Sequence, residues 1–194
     1  MGTELDRKKE LILGHEQDFA KQVAGEIIDK PQLALWMILI PIFFVFYYFQ
    51  LKRYRNGLQD FSSNFLVTRQ RTLDAVVESV AANKPVNLES VIELSSTPTA
   101  VQQQYRAWLD QLAAHFLLLL KAEGDSYEEL VRSAHGKKST YLVELKKLNR
   151  VEADFNRSLI SHIPGEQDTF KTVIRSMQDC VKKIRHRQAA DIFP

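Results

Sequence analysis

Five histidines (His15, His115, His135, His162 and His186) and one cysteine (Cys180) are the side chains of this 194-residue chain best suited to metal binding or nucleophilic chemistry. A di-metal carboxylate bundle would use Glu-x-x-His pairs on facing helices, because that spacing puts two ligands on one face a turn apart. No such pair occurs. His115 shares a helical face with Trp108, Leu112 and Leu119, the position of a hydrogen-bonded core imidazole. His135 precedes Gly136 and His162 precedes Ile163-Pro164, contexts in which a protonated ring offsets the negative end of a helix dipole. Cys180 falls on or beside the apolar series Val173, Ile174, Met177, Val181 and Ile184, where a thiol packs as a small apolar group. A single cysteine excludes an intrachain disulfide.

The chain also lacks a Gly-x-Ser-x-Gly elbow, a Walker loop, a Gly-x-Gly-x-x-Gly turn, a Cys-x-x-Cys pair and a His-Glu-x-x-His helix. Seven glycines leave little for a phosphate-cradling loop. No cofactor, metal ion or catalytic residue is therefore expected from the motifs. The Asn156-Arg157-Ser158 sequon falls inside an expected helix on the cytoplasmic side and is read as chance.

The elements that would position these groups are all helical. Apolar residues recur at three- and four-residue spacing, glycine and proline fall at the ends of those runs, and no segment alternates with period two. Residues 4–29 carry Leu5, Leu11, Ile12, Phe19, Val23, Ile27 and Ile28 among charges, an amphipathic helix softened at Gly14 and Gly25. A second runs from Leu58 to about Asn83, and a short one from Leu88 to Leu94 is capped by Asn87. Ser95-Ser96-Thr97-Pro98 starts a long helix that ends near Gly124, whose stretch Phe116 to Leu120 is apolar all round and so marks the centre of the domain. A short helix to Gly136, one from about Lys138 to Ile163 and a last one to near Ala190 complete the reading.

One segment stands apart. Leu33 to Phe49 contains no charge, and eleven of its seventeen residues are Leu, Ile, Val or Phe. A straight helix of that length spans roughly 26 Å, close to the roughly 30 Å hydrocarbon core of a bilayer. Leu33, Trp36, Ile40, Pro41, Phe44, Tyr47 and Tyr48 are the anchor residues, with the aromatic rings at the depths of interfacial belts. Lys52, Arg53 and Arg55 form a basic flank that can snorkel to headgroups. Five Lys/Arg in residues 52–71 against two in residues 13–32 place the C-terminal side in the cytoplasm. Pro41 removes a backbone hydrogen bond near the middle, so the segment is either a kinked span or a re-entrant element returning to the same face. The re-entrant form needs partners for the backbone freed at its turn, and no Ser or Thr lies nearby.

The expected protein is all-α: an amphipathic N-terminal helix (1–31), one transmembrane or re-entrant helix (32–55), and a cytoplasmic helical domain (56–194) of about four longer helices. It is expected in the cell membrane, single-pass, with membrane lipid and either a protein partner or a second copy as its contacts. A net charge of +2 gives no electrostatic footprint for nucleic acid. Lys182, Lys183, Arg185 and Arg187, near the end of the last helix, are expected to meet an anionic surface or to oppose the helix dipole. A non-catalytic adaptor, scaffold or accessory subunit is the function this pattern favours. The alternative is a membrane-associated enzyme or lipid- or small-molecule-handling protein with a pocket between helices.

Overall fold

The computed structural model describes residues 2–28, 57–95, 97–160 and 167–194. Seven helices are found among them, with no strand: α1 (Gly2–Ile28), α2 (Gly57–Ala82), α3 (Glu89–Glu93), α4 (Gln102–Lys121), α5 (Tyr127–His135), α6 (Lys138–Ile160) and α7 (Gln167–Ile192). A 3₁₀ turn, Thr99–Val101, leads into α4 directly after Pro98. None of the described helices is long and apolar enough to cross a membrane. The uncharged run Leu33 to Phe49, its basic flank Lys52, Arg53 and Arg55, and His162 lie outside the described residues.

Local chemistry sets several boundaries. The Asn87 Oδ1 accepts from the Glu89 N–H at 3.0 Å, satisfying a donor at the start of α3. At α5 the Ser126 Oγ accepts from the Glu129 N–H at 3.2 Å, while the Glu129 carboxylate accepts from the Asp125 N–H at 2.7 Å. The two bonds form a reciprocal cap of the capping-box kind. Gly124, just before it, has φ +155, and a Cβ there would come within 2.6 Å of the Glu129 Cβ. Only glycine fits that turn. Gly136 ends α5 at φ 70, with its N–H on the Arg132 carbonyl at 2.9 Å.

α1 is unbroken through Gly14 and Gly25 and is a working member of the bundle. It packs against α2, α4, α5 and α7, most extensively against α2. Lys9 meets Asp74 at 2.8 Å and Glu16 meets Arg69 at 3.0 Å, so numbering rises along α1 as it falls along α2. The pair is antiparallel, and its register carried to the end puts Ile28 level with Gly57. α7 runs antiparallel to α1 in turn, since Glu26 takes Lys183 and Arg187 while Gln22 takes Arg187. α6 and α7 also pack together, joined in sequence by residues 161–166.

The main core gathers around α4. Leu109, Leu112, Phe116 and Leu119 are fully buried there, as the all-round apolar stretch of the sequence implies. Trp108 stacks on Phe155 of α6 at 5.5 Å, with Tyr105 tilted against both. Above this core, Val23, Ala24, Met177, Val181 and Ile184 are buried but lie outside the contiguous main cluster. They form a second apolar layer toward the end of the bundle where α1 stops.

Phe116→Ala should therefore lower the stability of the bundle by about 3–5 kcal/mol, the range for emptying a closed aromatic site. Val143→Ala, at a residue 56% exposed, should change it by less than about 0.5 kcal/mol. Denaturant unfolding followed by circular dichroism reads both; equal effects would contradict the placement of the core.

Candidate functional site

Between the two apolar layers lies a cluster of four charges contributed by four helices: Glu16 from α1, Arg69 from α2, Glu152 from α6 and Arg185 from α7. All four are buried, Arg69 to 2% exposure. Arg69 meets Glu16 at 3.0 Å and Glu152 at 3.7 Å, and Arg185 meets Glu152 at 2.9 Å and hydrogen-bonds the Asn149 side chain. The Phe19 ring lies under both guanidiniums, 5.4 Å from Arg69 and 5.3 Å from Arg185. Each helix pair thus carries its own neutral ion pair, Glu16–Arg69 in α1/α2 and Glu152–Arg185 in α6/α7, and the two meet across one aromatic ring.

The sequence pattern explains how these charges enter the core. Each occupies an apolar-stripe position of its helix: Glu16 between Ile12 and Phe19, Arg69 before Leu73, Glu152 between Leu148 and Phe155, Arg185 after Val181. Burial penalises both guanidiniums. For Arg69 that penalty is outweighed by Glu16 and Glu152, and its pKa is raised. For Arg185 burial prevails over the pull of Glu152, and its pKa is lowered. Arginine remains charged throughout.

A small cavity of about 20 Å³ adjoins the cluster, with Glu16, Arg69, Arg185, His115, Tyr127 and Tyr141 among its walls. His15 stacks on Tyr127 at 3.6 Å between ring centroids. Burial holds the Tyr127 phenol well above its ordinary value, with Tyr141 adding to the effect, and raises Tyr141 as well. Burial pulls His115 down to about 3, with His135 and Arg185 acting in the same direction, so its ring is neutral at pH 7. His15 and His135 are lowered by burial too. A second cavity, of about 10 Å³, touches Glu152, Asn149 and Asn156. The Asn156 amide is fully buried there with neither Nδ2 nor Oδ1 partnered.

The sequence pattern puts Arg185 at a surface; instead it is 4% exposed and committed to Glu152 and Asn149, so no anionic surface can reach it. Its angular position on α7, one turn on from Val181, turns it into the core. Lys183 and Arg187 face Glu26 of α1 at 3.4 and 3.3 Å, and Lys182 sits 3.7 Å from Asp179. Lys182, Lys183 and Arg187 stay 50%, 70% and 50% exposed beside these acids. His115 and His135 are buried, 6.2 Å apart between ring centroids. Two imidazoles fall short of a metal ligand set, and no group of three or more His, Cys, Asp or Glu residues is placed to hold an ion among the described residues. Cys180 is buried, as its apolar neighbours imply, with its thiol 3.8 Å from a Glu26 oxygen. Comparison with known proteins finds no matching family model, no matching curated protein and no matching solved structure.

The cluster can do structural chemistry: it holds four helices in one register. Removing one member strands a buried charge, so Glu152→Ala and Arg185→Ala should each cost about 3–5 kcal/mol. The double variant should fall short of their sum by about 0.5–3 kcal/mol, the coupling expected of contacting residues. Strict additivity in a denaturant-based double-mutant cycle would contradict the pairing.

The three lowered histidines also set a pH dependence. Unfolding lets His115 regain an ordinary value near 6.5 from about 3, so the unfolded chain binds more protons between those limits. Stability is then complete above about pH 6.5 and declines as pH falls toward 3. His115→Leu should reduce that slope by up to about 1.4 kcal/mol per pH unit. An unchanged slope in this variant would show that the His115 ring is not buried neutral.

Proposed function

We propose that this chain is a membrane-docked helical adaptor: residues 29–56 enter the cytoplasmic leaflet and return to the same face, and the bundle holds a partner protein there. The antiparallel pairing of α1 with α2, through Lys9–Asp74 and Glu16–Arg69, is the observation that carries the reading. Two helices packed in one core belong on one side of a membrane, so a segment between them must come back. The twenty-eight residues 29–56 separate the two helices. Folded at the middle, they give two arms of about fourteen residues, roughly 20 Å each if helical. That is short of the roughly 30 Å hydrocarbon core. Pro41 lies next to the midpoint, and the uncharged run Leu33 to Phe49 is centred on it. The Lys52, Arg53 and Arg55 flank favours the cytoplasmic face. This reading departs from a single-pass span that would export the first thirty-two residues.

The buried ionisable cluster favours the alternative, a membrane-associated enzyme or lipid-handling protein. Its cavity of about 20 Å³ weighs against that, because small-molecule sites enclose roughly 300–1,000 Å³. The charged groups there are paired within the cluster, and the adaptor reading stands ahead.

Sidedness and retention test the proposal. Asp6 and Lys84 are both exposed; cysteines placed singly at these positions in a Cys180→Ser background report where each helix end lies. Neither should react with a membrane-impermeant maleimide in intact cells, and both should react once the membrane is opened. Reaction at Asp6→Cys alone from outside would establish a single span and defeat the hairpin. The full chain should also survive a carbonate wash in the membrane fraction. Leu39→Arg with Ile42→Arg, each costing roughly 2.5–3.5 kcal/mol at depth, should abolish that retention together with recovery of any stoichiometric partner.

A further inference from the structure

Charge is unevenly divided along this chain. Residues 137–194 hold twelve Lys/Arg against seven Asp/Glu, while residues 1–136 hold fourteen against seventeen. Much of the excess is displayed on one face. Helical periodicity puts Lys146, Arg150 and Arg157 within roughly 40° of one another on α6, opposite the buried Tyr141, Leu148 and Phe155. Lys171, Arg175 and Lys182 share an arc of about the same width on α7. That arc lies on the α6 side, since Lys182 lines the second cavity together with Asn149. All six residues are exposed. Asp154 and Asp179 stand beside them, 3.3 Å from Arg157 and 3.7 Å from Lys182. With Asp168 of α7 counted as well, basic residues outnumber acids six to three. Lys146, Arg150 and Arg175 form no ion pair with a described residue.

The chemistry of this face selects its partner. Protein interfaces centre on aromatic and apolar anchors and are depleted in lysine. Among the described residues of α6 and α7, Val143 is the one large apolar side chain that is exposed. Long cationic side chains without an anchor suit a plane of anionic headgroups, where each Lys or Arg near the surface contributes roughly fivefold in partitioning. The face also reaches the right end of the bundle. Lys183 meets Glu26 of α1, and α7 runs antiparallel to α1, so Lys171 and Arg175 lie at or past the end of α1, where residues 29–56 begin. We propose that the outer face of α6 and α7 rests on anionic lipid headgroups of the cytoplasmic leaflet, tilting the bundle onto the membrane beside its inserted segment. This deepens the membrane-docked reading above and rests on it.

The test reconstitutes the full chain with vesicles of phosphatidylcholine, with and without phosphatidylserine. A donor fluorophore is placed at Val143→Cys, beside Lys146 and Arg150 on the same face, in a Cys180→Ser background. The control site is Glu78→Cys, exposed on α2, whose packing neighbours are α1, α3 and α4. Headgroup-labelled lipid is the acceptor. Energy transfer from position 143 should rise when phosphatidylserine is present and should exceed that from position 78. Raising salt from about 0.1 M to about 1 M, which shortens the screening length from about 10 Å to about 3 Å, should reverse the rise. Lys146→Glu with Arg150→Glu should remove it. Transfer is read before a carbonate wash. Loss of the chain from both vesicle types in that wash would sink the inserted segment, while the transfer still decides the face. Transfer from position 143 that is indifferent to phosphatidylserine or salt, or unchanged in the double variant, would overturn the proposal and leave the face to an acidic protein.

Discussion

The antiparallel pairing of α1 with α2 is the constraint on which the rest of the molecule depends. It brings a helix from the start of the chain into the same core as helices from its end. Glu16 reaches Arg69, Arg69 reaches Glu152, and Glu26 receives Lys183 and Arg187. Surface ion pairs of the last kind are individually worth little. Together with the buried Val23 and Ala24 they seat α1 against α7 along an apolar strip. Once α1 is seated, its last residue and the first residue of α2 lie at one end of the bundle, and the membrane question becomes one of geometry.

The buried charges at first look like a poor use of a core. Desolvating two carboxylates and two guanidiniums costs more than an apolar replacement would in many folds. Here the cost is contained because each helix pair neutralises itself, and because Phe19 gives both guanidiniums a face to stack on. The arrangement also discriminates. An α1/α2 pair slipped by one turn against α6/α7 would part Arg69 from Glu152, while each helix pair kept its own neutral ion pair. The cluster divides the main core around Phe116 from the smaller layer around Met177.

The helical class, the central place of α4 and the boundaries at Asn87 and Gly136 are legible in the sequence, because all are set by residues within a turn or two of one another. The charge cluster is not legible. Val151 completes the apolar series Leu145, Leu148, Phe155, Leu159, so Glu152 beside it gives no sign of burial, and Arg69 and Glu152 are brought together only by tertiary packing. Arg185 misleads for a related reason: among Lys182, Lys183 and Arg187 it reads as one more basic residue at a helix end, yet its angular position faces the core. The N-terminal helix reads as a separate element because an intervening apolar run usually separates compartments. Helix periodicity carries no information about which side of a membrane a helix returns to.

The most direct measurement of the central claim is a cross-link between α1 and α2 in native membranes. Lys9 and Asp74 face each other at 2.8 Å, so cysteines at both positions, with Cys180 replaced by serine, should be joined within one chain by a short bis-maleimide. The single-cysteine controls should give no such product. Efficient intramolecular joining before solubilisation is the result that places both helices on one face of the membrane. Failure to join in membranes, with both thiols shown to be reactive, would mean that α1 and α2 do not pair in the cell, and the same-face account would fall with it.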